Sequence, residues 1–210
     1  MRLTQARGLA DALVDAMRPA AARIEVAGSI RREQPEVKDI EIVAIPLFAD
    51  RDGVGQMTLG APPPTERVNL LREVIEGLRG VTPIKPGTHE IIPWHLTTDG
   101  SYWRLWLERN AVKVDVFLVE PSTWGLGYLV RTGSGIGPDG VPAHGFGPAI
   151  LQRWKSISGG GRSEGLRLTW PDGRREPTPE EADVFRVCRL AWVEPRDRTS
   201  DNAVRKACLP

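Results

Sequence analysis

Cysteine is scarce: Cys188 and Cys208 are the two thiols in 210 residues. That is too few for a disulfide framework, so a reducing, cytosolic setting is the default expectation. Long apolar runs are missing too. None approaches the roughly 20 residues that cross a bilayer, so no membrane partner is expected. The N-terminal stretch MRLTQARGLADALVDAM carries Asp11 and Asp15 within its helical pattern, which makes it a poor secretory leader. His95 and His144 show no metal-ligand spacing and read as surface residues. A large charge of one sign is absent as well, since the formal net charge is +1.

What is present is an ordinary globular composition, 40% hydrophobic and 26% charged, with 18 Pro and 22 Gly that imply many turns. Residues 1–120 carry 15 Lys/Arg against 17 Asp/Glu, and residues 121–210 carry 13 against 10. A grip on nucleic acid would therefore come from the C-terminal part, although a solvated surface explains the same difference.

The periodicity predicts a first helix over Thr4 to Met17, with Leu9, Leu13, Ala16 and Met17 on one face and Pro19 as a stop. RIEVAGSI reads as a strand entering a Gly-Ser turn and a short basic helix start. VKDIEIVAIPLF is a strongly apolar strand. Residues 49–64 read as loop, TERVNLLREVIEGLRG as a helix capped by Thr65, and TPIKPG, SYWRLWLER and AVKVDVFLVE as strands. The last two are expected to form a hairpin about Asn110. After Pro121 come a helix leading to a turn at 124–134, a helix over 148–157, and SGGGRSEG as a loop. A hairpin turning at Asp172-Gly173 follows, then a helix capped by Thr178. The subdomain boundary is placed near residue 121.

Carboxylates inside apolar strands carry the most chemistry. Asp39 and Glu41 are two apart, so both leave one face of their strand, and Asp115 sits in another strand between Val114 and Val116. Carboxylates from rigid neighbouring strands can bridge two metal ions about 3.5–4 Å apart. An edge strand with a polar, solvent-facing side explains the same pattern, and the carboxylates alone do not decide. Gly28-Ser29 and the basic pair Arg31-Arg32 precede Asp39. A glycine lets backbone approach a phosphate, a serine adds a hydroxyl, and an arginine can fork onto phosphate oxygens.

Ala27-Gly28-Ser29-Ile30-Arg31-Arg32 followed by Lys38-Asp39-Ile40-Glu41-Ile42-Val43 resembles the signature of the DNA polymerase β-like (family X) nucleotidyltransferases. Lys113-Val114-Asp115-Val116-Phe117 resembles the strand carrying their third carboxylate. Trp124 through Thr132-Gly133-Ser134 resembles the opening of their last subdomain. Thr178-Pro179-Glu180-Glu181, Val184-Phe185 and Trp192 to Arg198 resemble its closing helix and tail.

The resemblance implies an α+β fold: a catalytic palm with a mixed β-sheet and flanking helices over 1–120, and a small α/β thumb-like subdomain over 121–210. It implies two Mg²⁺ ions, for which Mn²⁺ can substitute. Asp39 and Glu41 would bind both ions, and Asp115 the catalytic one while receiving a proton from an attacking 3′-hydroxyl. Gly28, Ser29, Arg32 and Lys38 would serve the triphosphate, and Gly133 and Ser134 the sugar and base. Lys113, Arg153 and Lys155 are candidate nucleic-acid contacts; Lys85, His89 and Arg162 are weaker ones.

The expected partners are a nucleoside triphosphate and a DNA primer-template. The implied protein is a monomer of the cytoplasm, in a bacterium or a phage-infected host. The expected activity is addition of dNMP to a primer end with release of pyrophosphate. A template-independent enzyme, one using RNA or a small-molecule acceptor, and a non-catalytic nucleic-acid-binding module are the alternatives.

The chain departs from the family at several places. Glu41 stands where Asp is usual, Lys38 replaces a glycine, and Val130-Arg131 replaces a Tyr-Phe pair. Residues 135–145 are inserted, and Phe146-Gly147 replaces Phe-Asn. The lyase domain and the helix-hairpin-helix elements of larger relatives are not expected within this length.

Overall fold

The computed structural model describes residues 1–52, 65–83, 87, 102–109 and 111–210. In chain order the first part contains α1 (Leu3–Met17), β1 (Ala21–Val26), α2 (Gly28–Arg31), β2 (Asp39–Pro46), β3 (Phe48–Asp52), β4 (Thr65–Asn69), α3 (Leu70–Gly77), β5 (Val81–Thr82), β6 (Tyr102–Leu107) and β7 (Val112–Leu118). The second part contains α4 (Trp124–Thr132), α5 (Phe146–Ile157), β8 (Arg162–Glu164), β9 (Arg167–Thr169), β10 (Arg175–Glu176), α6 (Glu181–Val187) and α7 (Asp201–Lys206). This is a mixed α+β fold with a mixed sheet and flanking helices.

The central sheet runs β1-β2-β7-β6-β5. β2 and β7 are parallel, while β1 and β6 flank them antiparallel. Side chains alternate across each strand, and the two sheet faces differ completely. Ile40, Ile42 and Ala44 of β2, Val114 and Val116 of β7, and Trp103 and Leu105 of β6 point to one face. There they form a core with Ala6, Ala10, Leu13, Val14 and Met17 of α1 and Leu71 and Ile75 of α3. The opposite face carries Asp39 and Glu41, then Val43; Lys113 and Asp115, then Phe117; and Tyr102 and Arg104. At the apolar end of this face Val43, Phe117 and Val119 pack with Ala27 and Trp124. A third cluster lies wholly in the second part, around Leu126, Phe146, Ile150, Trp154, Val184 and Phe185.

Several local expectations are corrected. The loop expected at 49–64 contains strand at its start, because Phe48–Asp52 pairs antiparallel with Thr65–Asn69. Thr65 therefore opens a strand instead of capping a helix; the cap of α3 is Asn69, whose Oδ1 accepts from the Arg72 N–H at 3.2 Å. In the expected SGGGRSEG loop, Arg162–Glu164 pairs with β9 as β8. The α6 cap is Glu180, in a reciprocal box with Asp183, and not Thr178. Thr178 is buried, and its carbonyl accepts from Gly125 N–H at 2.7 Å. The β6–β7 hairpin and the hairpin about Asp172-Gly173 form as expected. Asn110, His95, Lys85 and His89 lie outside the described residues.

Two glycines give opposite expectations. A Cβ at Gly125 would lie 2.1 Å from the Glu180 carbonyl oxygen. Gly125→Ala must push α4 off the chain at Thr178–Glu180, and we expect a loss of about 1–3 kcal/mol. A Cβ at Gly8, inside α1, meets nothing within 4 Å, and Gly8→Ala is expected to gain about 0.5–1 kcal/mol. Urea denaturation of the two variants checks both signs.

Candidate active site

Parallel pairing of β2 with β7 sets Glu41 directly beside Asp115 and Asp39 beside Lys113. Antiparallel pairing of β6 with β7 sets Arg104 beside Asp115. All five charged side chains share one sheet face. They line one end of a cleft of about 1380 Å³ that continues past Tyr102, Phe117 and Arg131 to Phe48, Arg67 and Arg167.

Asp115 is 4% exposed. Its Oδ1 accepts from Arg104 Nε at 2.9 Å, and its Oδ2 lies 3.1 Å from the Lys113 ammonium. The same ammonium is 2.6 Å from Asp39 Oδ2, so one lysine bridges two of the three carboxylates. Burial works against the charge of Lys113, but its bonds to Asp39 and Asp115 prevail and raise its pKa. The Asp115 hydrogen bond likewise raises that of Arg104. Arg104 also donates to the Tyr102 hydroxyl. Burial, and then Asp115, push the Tyr102 phenol well above its ordinary value.

Glu41 is held differently. Burial, reinforced by Asp39, pushes its carboxyl up from the ordinary 4.5 to about 7, against the pull of Arg32 and Arg131. The Glu41 backbone carbonyl accepts from Ala27 N–H at 2.8 Å, while its carboxylate has no hydrogen bond or ion pair among the described residues. Gly28 makes room for it: the residue has φ +61, and a Cβ there would sit 1.9 Å from Glu41 Oε2. Beside it, the Ser29 hydroxyl is buried with no hydrogen-bond partner.

The remaining candidates divide. Arg32 lies near Glu41 and Asp39 but donates to the Thr132 carbonyl, tying the Gly28-Ser29 segment to the end of α4. Gly133 caps α4, and a Cβ there would meet the Phe146 ring at 2.6 Å. The Ser134 hydroxyl donates to the Ile136 carbonyl, within its own loop. Lys38 is exposed just ahead of β2. Arg153 donates to the Cys188 carbonyl at 3.1 Å, and Lys155 is exposed. None of Gly28, Ser29, Arg32, Lys38, Gly133, Ser134, Arg153 and Lys155 lines the cleft, although Gly28 lies against the Glu41 side chain. His144 is paired at the surface with Asp139 at 2.6 Å, and Arg162 is exposed.

Tyr102, Arg104 and Arg131 are among the cleft residues that escaped the sequence reading as site members. The alternation of β6 puts Tyr102 and Arg104 on one face, but their position opposite Asp115 follows only from the hairpin register.

Among the described residues, no three His, Cys, Asp or Glu side chains are placed to hold a metal ion. The donor set nevertheless fits a hard divalent cation in kind. Three carboxylates stand on one face of two adjacent strands, one of them has no ion pair among the described residues, and an ammonium sits between the other two. Asp39, Glu41 and Asp115 are the residues that would take it. No protein-family model matches the chain, and no curated protein matches it.

The raised pKa of Glu41 has a definite consequence for stability. The protonated, buried carboxyl is favoured in the folded state, so its stabilising contribution is complete below pH 4.5 and is lost as pH rises toward about 7. The loss is on the order of 3 kcal/mol. Glu41→Gln removes it. In chelator, the variant is expected to be more stable than the parent at pH 8 and nearly equal at pH 5; urea titrations at the two pH values test this, and lower stability of the variant at pH 8 would contradict it.

Proposed function

We propose that this chain is a Mg²⁺-dependent nucleotidyltransferase of the DNA polymerase β-like kind, adding dNMP to a primer 3′-hydroxyl and releasing pyrophosphate. The observation that carries the reading is the pairing of Glu41 with Asp115 across two parallel strands, with Asp39 on the same face and all three opening into one cleft. The sequence blocks from Ala27 to Val43, from Lys113 to Phe117 and from Trp124 to Ser134 supply the resemblance to that family.

The bound ions would neutralise charge on the phosphates and on the attacking oxygen, chemistry for which carboxylates on rigid strands are suited. The chain's own residues do the rest. Gly28 leaves backbone bare beside Glu41, and the unpartnered Ser29 hydroxyl can donate to a phosphate oxygen. Asp115, held by Arg104, takes the proton from the 3′-hydroxyl as the new bond to the α-phosphorus forms. The bond from that phosphorus to the bridging oxygen breaks, and pyrophosphate leaves with its electron pair. Lys113 must first quit the space between Asp39 and Asp115.

The same Lys113 and Arg104 contacts favour a second reading, a non-catalytic nucleic-acid-binding module whose carboxylates are permanently neutralised.

Extension of a labelled primer, alone and annealed to a template, with dNTPs or rNTPs and Mg²⁺ or Mn²⁺, separates the readings. We expect templated addition, lowered about a thousandfold or more by Asp115→Asn, the scale of losing a group that stabilises transition-state charge. Addition to the unannealed primer would establish a template-independent transferase. The absence of extension under every condition, with retained nucleic-acid binding, would establish the second reading.

A further inference from the structure

Among the described residues five cations line the cleft, and they are not in equivalent states. Lys113 bridges Asp39 and Asp115, Arg104 is bonded to Asp115, and Arg167 is paired with Glu120 at 2.5 Å. Arg67 is exposed to water and lies over the Phe48 ring. Arg131, in the last turn of α4, differs from all of them. It is half-buried, its guanidinium makes no hydrogen bond or ion pair among the described residues, and its Nε is shut off from solvent with no partner.

A guanidinium partly withdrawn from water without an ion pair costs free energy, and burial lowers the pKa of Arg131 accordingly. Its position is nonetheless well defined. The guanidinium carbon lies 3.8 Å from the centre of the Phe117 ring, on which Tyr102 is stacked at 4.8 Å. Phe117 is two residues beyond Asp115 on the same strand face, so Arg131 stands along the cleft from the carboxylates. It is close enough to Glu41 and Asp115 to feel their charge while bonded to neither. The aromatic stack restrains the side chain in advance, which reduces the ordering cost of a bound ligand.

We propose that Arg131 is an anion-binding residue of this site, its guanidinium forking onto non-bridging oxygens of the incoming nucleotide's phosphate chain. The planar fork matches that geometry bidentately. The proposal rests on the nucleotidyltransferase reading and adds to it a phosphate ligand at a position where the resembled family carries an aromatic residue.

Calorimetric titration of the whole chain in Mg²⁺, without primer, tests it, using dATP, inorganic tripolyphosphate and deoxyadenosine as probes. Arg131→Met keeps an unbranched stem over Phe117 and removes the charge; Arg131→Lys keeps the charge and removes the fork. We expect Arg131→Met to weaken dATP and tripolyphosphate about tenfold or more. Arg131→Lys is expected to fall between it and the parent, and deoxyadenosine binding to stay unchanged. Without ligand, Arg131→Met is expected to unfold no lower than the parent, because it removes a half-buried charge that has no ion pair among the described residues; a purely structural arginine would lower the midpoint and leave phosphate affinity intact. Equal dATP affinity in the parent and Arg131→Met overturns the assignment alone. A parent protein that binds neither dATP nor tripolyphosphate overturns the assignment together with the reading beneath it.

Discussion

Two carboxylates side by side on adjacent parallel strands, Glu41 and Asp115, are the constraint to which the rest of the site responds. Like charges held at strand spacing on a half-buried face repel and are poorly hydrated, so the protein must supply positive charge or leave one group protonated. It does both. Asp115 receives Arg104 and Lys113, Asp39 shares the lysine, and Glu41 is left with its pKa near 7. Gly28 follows from the same constraint, because any side chain there would collide with the Glu41 carboxylate.

The second part of the chain is joined to this site by a set of arginine contacts. Arg32 reaches the Thr132 carbonyl, and Arg31 reaches the Thr132 hydroxyl at 2.8 Å and Glu181 Oε2 at 2.6 Å. Glu181 also accepts from Arg198, which is fully buried. In that three-member cluster Glu181 is the one anion between two arginines. Burial alone would raise its pKa, but the bond to Arg31 and the charge of Arg198 outweigh it and lower it. Removing one member of such a cluster strands buried charge, which costs far more than an exposed ion pair is worth. The Gly28–Arg32 segment that borders Glu41 is thereby fixed against the end of α4, the helix that carries Arg131.

The sheet and its two unlike faces were legible because β2 and β7 have a strict period of two: Ile40, Ile42, Val114 and Val116 alternate with Asp39, Glu41, Lys113 and Asp115. The convergence of the three carboxylates could be anticipated from that period once the resemblance suggested pairing. What could not be read was register. The opposition of Arg104 to Asp115 depends on how one residue of hairpin slip is resolved, and slipping by one turns every side chain over. Arg131 stayed out of the site for another reason: nothing in the sequence sets it beside the carboxylates, and only the tertiary approach of α4 to Phe117 carries it into the cleft. The cap expected at Thr65 failed because β3 and β4 satisfy their backbone groups in a ribbon, which the Pro- and Gly-rich stretch before it concealed.

The proposed reading requires that Asp39, Glu41 and Asp115 take a divalent cation, with Lys113 displaced from between Asp39 and Asp115. Electron paramagnetic resonance of Mn²⁺ titrated into the protein at pH 8 addresses it most directly, with the double variant Asp39→Asn/Asp115→Asn as the comparison. The account predicts saturable loss of the free Mn²⁺ signal in the parent protein and none in the variant. Free Mn²⁺ spectra in both proteins, with or without a nucleoside triphosphate, would contradict it.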